Sequence, residues 1–144
     1  MRRPPYRVSE SLPAPYPGPP AKPIRGPEDV LAACRAMARY RQEHFVVLLL
    51  NARHDLHRKV TVSKGSLNAS IVHPREVFLP AIRNSAASII LVHNHPSGDA
   101  EPSEEDLAIT KRLVQVGELL GIAVLDHVIV AKRGVVSFRS RQLL

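Results

Sequence analysis

Two short apolar runs constrain the fold of this chain more than any other feature. Phe45–Val–Val–Leu–Leu–Leu50 and Ser88–Ile–Ile–Leu–Val92 offer almost nothing to water on either side of an extended backbone. A strand with one wet face alternates polar and apolar residues, whereas a strand covered on both faces reads as a continuous apolar run. Covering a sheet on both faces requires helices above and below it. The chain is therefore expected to be α/β, a mixed sheet flanked by helices in three layers. Aromatic residues make up 4% of the chain and Trp is absent, so Val, Ile, Leu and Ala must fill the core.

The remaining elements follow from periodicity and punctuation. Pro27–Glu28–Asp29 suits a first helical turn, where the amides are unpaired and the dipole favours acids. Val30, Leu31, Cys34, Met37 and Ala38 continue it as a stripe to about Arg41. Asn51–Asp55 reads as a turn, and Leu56 to Ser63 as a strand pairing back on the first run. Pro74 to Arg83 is expected to be a helix with Val77, Leu79, Ala81 and Ile82 among its apolar positions. A long helix should run from about Ser103 to Leu120 and stop at Gly121, before strands at Ile122–Val130 and Val135–Phe138.

Residues 1–26 are of another kind. They hold eight of the 13 prolines, including Pro13–Ala–Pro–Tyr–Pro–Gly–Pro–Pro20, and read as a disordered, basic, Pro-rich tail ahead of one domain at 27–144. Five basic side chains (Arg2, Arg3, Arg7, Lys22, Arg25) against Glu10 give this tail four of the chain's seven net positive charges. The body is thus only mildly basic, and charge alone does not make it a nucleic-acid module. A weak nucleic-acid contact through the tail is the most the charge supports. One cysteine, Cys34, excludes an internal disulfide. The apolar runs are too short to span a bilayer, and the N-terminus lacks the apolar stretch of a secretory signal. The expected location is cytoplasmic, with no membrane contact.

The chemistry lies in Leu91–Val–His93–Asn–His95–Pro–Ser–Gly–Asp–Ala–Glu–Pro–Ser103–Glu–Glu–Asp106. His93 and His95 stand two apart in extended chain, so their imidazoles project to one side. They follow an apolar strand, at the end where open α/β sheets present ligands. Ser103 and Asp106 could simply be a capping pair for the long helix. However, Asp106 is in phase with Ile109, Leu113, Val116 and Leu120, the stripe that should face the sheet. A carboxylate buried there must be paired or metal-bound. Two imidazoles and one carboxylate leave a fourth tetrahedral position for water, the count of catalytic zinc. A general base is then needed. Glu43, just before the first buried strand, is the candidate, although spacing alone favours an ordinary surface residue beside His44.

The spacing His93-x-His95, seven residues, Ser103-x-x-Asp106 resembles the JAMM signature of the MPN/JAB metallopeptidase superfamily. His73–Pro–Arg–Glu–Val–Phe78, His93–Asn–His–Pro–Ser–Gly98 and Leu125–Asp–His–Val–Ile–Val130 resemble its bacterial RadC-like branch, over about residues 27–144. The resemblance implies a cytidine-deaminase-like sandwich and Zn2+ held by His93, His95 and Asp106. It further implies Glu43 as general acid/base and Ser103 as hydrogen-bond donor to the oxyanion. The implied function is a zinc-dependent hydrolase, a metallopeptidase or isopeptidase acting on a peptide or protein. RadC-like proteins commonly carry a helix-hairpin-helix-like region before this domain. Here a Pro-rich tail stands in its place, so the chain is expected to be a short form. Two rivals stand beside the peptidase: a DNA-repair accessory domain without turnover, and a metal-dependent nuclease. The tripeptide His93–Asn94–His95 is not an HNH nuclease motif, which draws its residues from separate parts of a ββα unit.

Other histidines are less informative. His127, between apolar neighbours, reads first as a hydrogen-bonded strand histidine; the sharper reading makes Asp126 or His127 a group that orients a metal ligand. His73 should help begin the helix after it, and His54 and His57 fall at an exposed hairpin tip.

Overall fold

The computed structural model describes residues 22–65 and 72–144. Residues 1–21 of the Pro-rich tail lie outside the described residues. Packing nonetheless reaches back of Pro27: Pro23 bridges Asp55 and Ile24 is buried.

Helix α1 spans Pro27–Cys34 and passes into a 3-10 turn at Arg35–Arg39. Strands β1 (His44–Leu50) and β2 (Leu56–Lys64) form a hairpin, followed by α2 (Pro74–Arg83) and β3 (Ser88–Asn94). Helix α3 (Glu104–Leu120) then crosses to β4 (Ala123–Ala131) and β5 (Gly134–Ser137). The sheet order is β2-β1-β3-β4-β5, with β3–β4 parallel and the other neighbours antiparallel. This is the mixed α/β sheet expected from the apolar runs.

Side-chain alternation divides the core into two halves. Phe45, Val47 and Leu49 of β1 join Ile89 and Leu91 of β3 beneath α2 and α3. Val46, Leu48, Leu50, Ile90 and Val92 project oppositely, under Val30 and Cys34 of α1 and Met37 of the 3-10 turn. Helices thus cover both faces of the sheet, giving three layers, and β3 is buried along its whole length.

Two helical stripes differ from expectation. On α2 the buried residues are Val77, Phe78 and Ala81, while Leu79 and Ile82 are exposed. At ~100° per residue, positions 77, 78 and 81 share one face and the other two do not. On α3, Asp106, Ile109 and Leu113 face the sheet as predicted, but Leu120 is exposed. Gly117 makes the last turn's close contact instead: a Cβ there would lie 2.5 Å from the Ile122 carbonyl oxygen. Gly121 then ends α3 in the left-handed region, at φ 71°. No helix among the described residues is long and apolar enough to cross a membrane.

Candidate metal centre

The site forms where three chain segments meet at the C-terminal end of β3. His93 shares the facing of Ile89 and Leu91, toward α3, and is fully buried. His95 lies just past the strand, its amide still bonded to the Val130 carbonyl at 3.1 Å. Asp106 occupies the first turn of α3, buried on the face that packs against the sheet.

The donors converge. His93 Nε2 lies 2.9 Å from His95 Nε2 and 3.2 Å from Asp106 Oδ1, and His95 Nε2 lies 3.1 Å from Asp106 Oδ2. His93, His95 and Asp106 each offer one ligand atom within 4.8 Å of the others. The far ring nitrogens are occupied: His95 Nδ1 meets the Asp99 carbonyl at 2.8 Å, which requires Nδ1–H and leaves the Nε2 lone pair inward. Two inward imidazole nitrogens facing a carboxylate match the donor set of a divalent transition metal. The residues present therefore fit the ion the sequence implied.

Electrostatics agree with this geometry. Burial alone would raise the pKa of Asp106, but the imidazoles of His93 and His95 at its oxygens outweigh it and hold the carboxyl well below the usual range. The hydrogen bond to Asp106 is the main cause raising the pKa of His95, and burial opposes it. The charge of Glu43 adds to that rise. Glu43 comes this close because β1 runs antiparallel to β3, pairing Phe45 with His93 and bringing the start of one strand to the end of the other.

Asn94, between the two histidines, holds this junction. Its Oδ1 accepts from the His44 amide at 2.7 Å, and its Nδ2 donates to the Gln42 carbonyl at 3.0 Å. Both peptide neighbours of Glu43 are thereby pinned to the end of β3. Sequence reasoning did not single out Asn94, because its partners are backbone groups fifty or more residues distant.

Ser103 and Asp106 form the capping pair that their spacing allowed. Ser103 Oγ accepts from the Asp106 amide at 3.1 Å, and Asp106 Oδ2 accepts from the Ser103 amide at 2.8 Å, a complete capping box. The same carboxylate faces both histidines. The serine's own hydroxyl hydrogen is not used in the cap.

Of Asp126 and His127, only the histidine reaches a candidate ligand. His127 Nε2 lies 2.7 Å from His93 Nδ1, and burial, foremost, pushes its pKa well below the ordinary value. Its other nitrogen meets Thr110, a residue the sequence reading passed over. The Asp126 carboxylate is taken up instead by the His127 amide, the Ser137 hydroxyl and the Arg139 amide.

A family model described as RadC-like JAB domain matches residues 24–143. Among similar proteins, a UPF0758 protein of Desulforamulus reducens is 52% identical over 122 residues, 84% of this chain and 54% of that protein. One from Halalkalibacterium halodurans is 56% identical over 119 residues, 82% of this chain and 51% of its own length. The chain thus spans about half the length of these curated relatives.

Proposed function

The chain belongs to the RadC-like JAB domain family, and from that premise we propose that it is a zinc-dependent hydrolase cleaving an amide bond in a peptide or protein. The observation that carries the proposal is the meeting of the His93, His95 and Asp106 ligand atoms within 4.8 Å, with Glu43 just before the strand whose Phe45 pairs with His93. The family supports a metal-dependent hydrolase of the JAMM kind; zinc and the amide substrate are the finer parts of this reading.

Bound at these three residues, zinc would supply Lewis acidity and lower the pKa of a water to about 7. Glu43 takes the proton of the attacking water and returns it to the departing amine. Ser103, whose cap leaves its hydroxyl hydrogen available, donates to the oxygen on which negative charge develops. Asn94 holds the Glu43 peptide in place while the proton moves. The lone, buried Cys34 is consistent with a cytoplasmic setting, which belongs to the same reading. Any nucleic-acid contact is assigned to the basic residues before Gly26.

The test begins with metal content by mass spectrometry on wild type and Asp106→Ala. About one zinc per wild-type chain and little in the variant is expected. Peptide and DNA cleavage screens on the zinc-loaded protein then set the bond class. Glu43→Gln should keep its zinc and lose roughly 10²–10⁴ of any turnover. Phosphodiester cleavage without peptide cleavage would replace this reading with the nuclease.

A further inference from the structure

Behind the candidate ligands lies a buried polar chain that the hydrolase reading does not use. Thr110 is 1% exposed and His127 0%. The rings of Phe45 and Phe138 pack against His127, with Phe138 stacked at 4.5 Å between centroids. Apolar side chains would fill this space equally well, so polar groups here need a reason.

Hydrogen-bond direction supplies one. The Thr110 hydroxyl donates to the Asp106 carbonyl oxygen at 2.7 Å. A hydroxyl has a single hydrogen, so toward His127 Nδ1, at 2.5 Å, Thr110 accepts and Nδ1 carries the proton. A neutral imidazole has one N–H, which leaves a lone pair on His127 Nε2. His93 Nδ1, 2.7 Å from it, must then be the donor. His93 therefore keeps its own lone pair on Nε2, the nitrogen that faces His95 and Asp106.

The opposite polarity is chemically available. Thr110 could donate to His127 Nδ1, His127 Nε2–H to His93 Nδ1, and His93 Nε2–H to Asp106 Oδ1. That arrangement would put a proton where a cation must bind. The bond from Thr110 to the helix backbone stands against it. The chain also starts on the carbonyl of Asp106 and ends facing the carboxylate of the same residue. The opening turn of α3 and the tip of β3 are thus tied together through β4.

We propose that Thr110 and His127 are positioning residues that fix the hydrogen-bond polarity of His93, keeping its Nε2 lone pair free for a divalent cation. The inference rests on the metal reading above. Metal-ligating histidines ordinarily hand the second N–H to a carboxylate or carbonyl, and loss of that partner costs about 10–100-fold in metal affinity. Here a second histidine takes that place and a threonine orients it.

The experiment uses the full chain with two readouts. Nitrogen-15 NMR of the metal-free protein reports which ring nitrogen of His93 carries the proton, and competition with a chromogenic chelator reports Zn2+ affinity. Wild type and Thr110→Ser should show His93 protonated on Nδ1. Thr110→Val, nearly isosteric but without the hydroxyl, should move that proton toward Nε2 and weaken Zn2+ binding about 10–100-fold. A wild-type His93 protonated on Nε2 overturns the proposal without any variant, even should Thr110→Val fail to fold. So does a folded Thr110→Val that binds Zn2+ within about twofold of wild type while Asp106→Ala does not, which leaves the metal reading standing. A wild type that takes up no Zn2+ overturns both.

Discussion

Two buried aspartates lie on opposite faces of the sheet and are satisfied in different ways. Asp126 is 7% exposed and Asp106 5%, so burial does not separate them. The Asp126 carboxylate accepts from two backbone amides and the Ser137 hydroxyl, donors that never lose their hydrogens. Asp106 accepts one backbone amide and otherwise faces two imidazole nitrogens. Imidazole nitrogens can present lone pairs to a cation, and a proton held among them can be displaced by it. A buried carboxylate closed off by fixed donors ties a loop down; one facing imidazole nitrogens that can present lone pairs is a place for an ion. The contrast lies in the chemistry of the partners.

Neutralising each carboxylate in turn should separate the two aspartates most clearly. Asp106→Asn should weaken Zn2+ binding roughly a thousandfold or more, since a three-ligand site loses its only charged ligand (about 4 kcal/mol). Isothermal titration on the folded variant measures this. Asp126→Asn should leave Zn2+ affinity near wild type. It should cost about 2–4 kcal/mol of stability in denaturant melts, because buried donors lose their acceptor. An Asp126→Asn protein that loses zinc would show that both aspartates serve one network.

The candidate ligands were legible because they are local. His-x-His at the end of an apolar strand and Ser-x-x-Asp opening an apolar-striped helix each announce themselves within a few residues. The strand runs Phe45–Leu50 and Ser88–Val92 were legible because burial on both faces leaves no alternation. Thr110 was not, and His127 was legible only as one of two readings, an ordinary strand histidine first and a group orienting a metal ligand second. Their meaning depends on α3 and β4 coming into contact, and a lone Thr on a helix or His in a strand carries no mark of that. Asn94 sat in view between the two histidines, yet its partners are the peptides flanking Glu43. Leu79 and Ile82 misled because apolar identity was counted without its phase. The placement of Glu43 near the end of β3 needed the antiparallel β1–β3 register, which spacing alone does not give.

Acidity should also act on the two aspartates differently. The pKa of His95 is raised, chiefly by its bond to Asp106 against the opposing effect of burial. That proton stabilises the metal-free fold below the ordinary histidine value of about 6.5, and its contribution is lost as pH rises through the elevated value. Zinc must displace it. Affinity should therefore fall about tenfold per pH unit on the acid side, or ~1.4 kcal/mol, and level off only above the raised pKa. Neutral His127 acts oppositely, lowering stability as pH drops below about 6.5, but it does so with or without metal and cancels in the difference. Melting curves with and without Zn2+ across pH should show a zinc-induced gain that grows with pH. Asp126→Asn should keep that trend and Asp106→Asn abolish it.

The smallest expected effect separates the two halves of the capping box. The Ser103 hydroxyl accepts from the Asp106 amide, whereas the bond that steadies the Asp106 carboxylate comes from the Ser103 backbone. Ser103→Ala removes only the first. It should cost about 1 kcal/mol of stability, the usual value of an N-cap. Zn2+ affinity should change by less than about threefold, ~0.6 kcal/mol. A much larger loss of zinc would mean that the carboxylate is positioned by how α3 begins rather than by the imidazoles it faces. Asp106 would then be held by its own chain segment much as Asp126 is, and the distinction between a closed aspartate and an open one would fail at its origin.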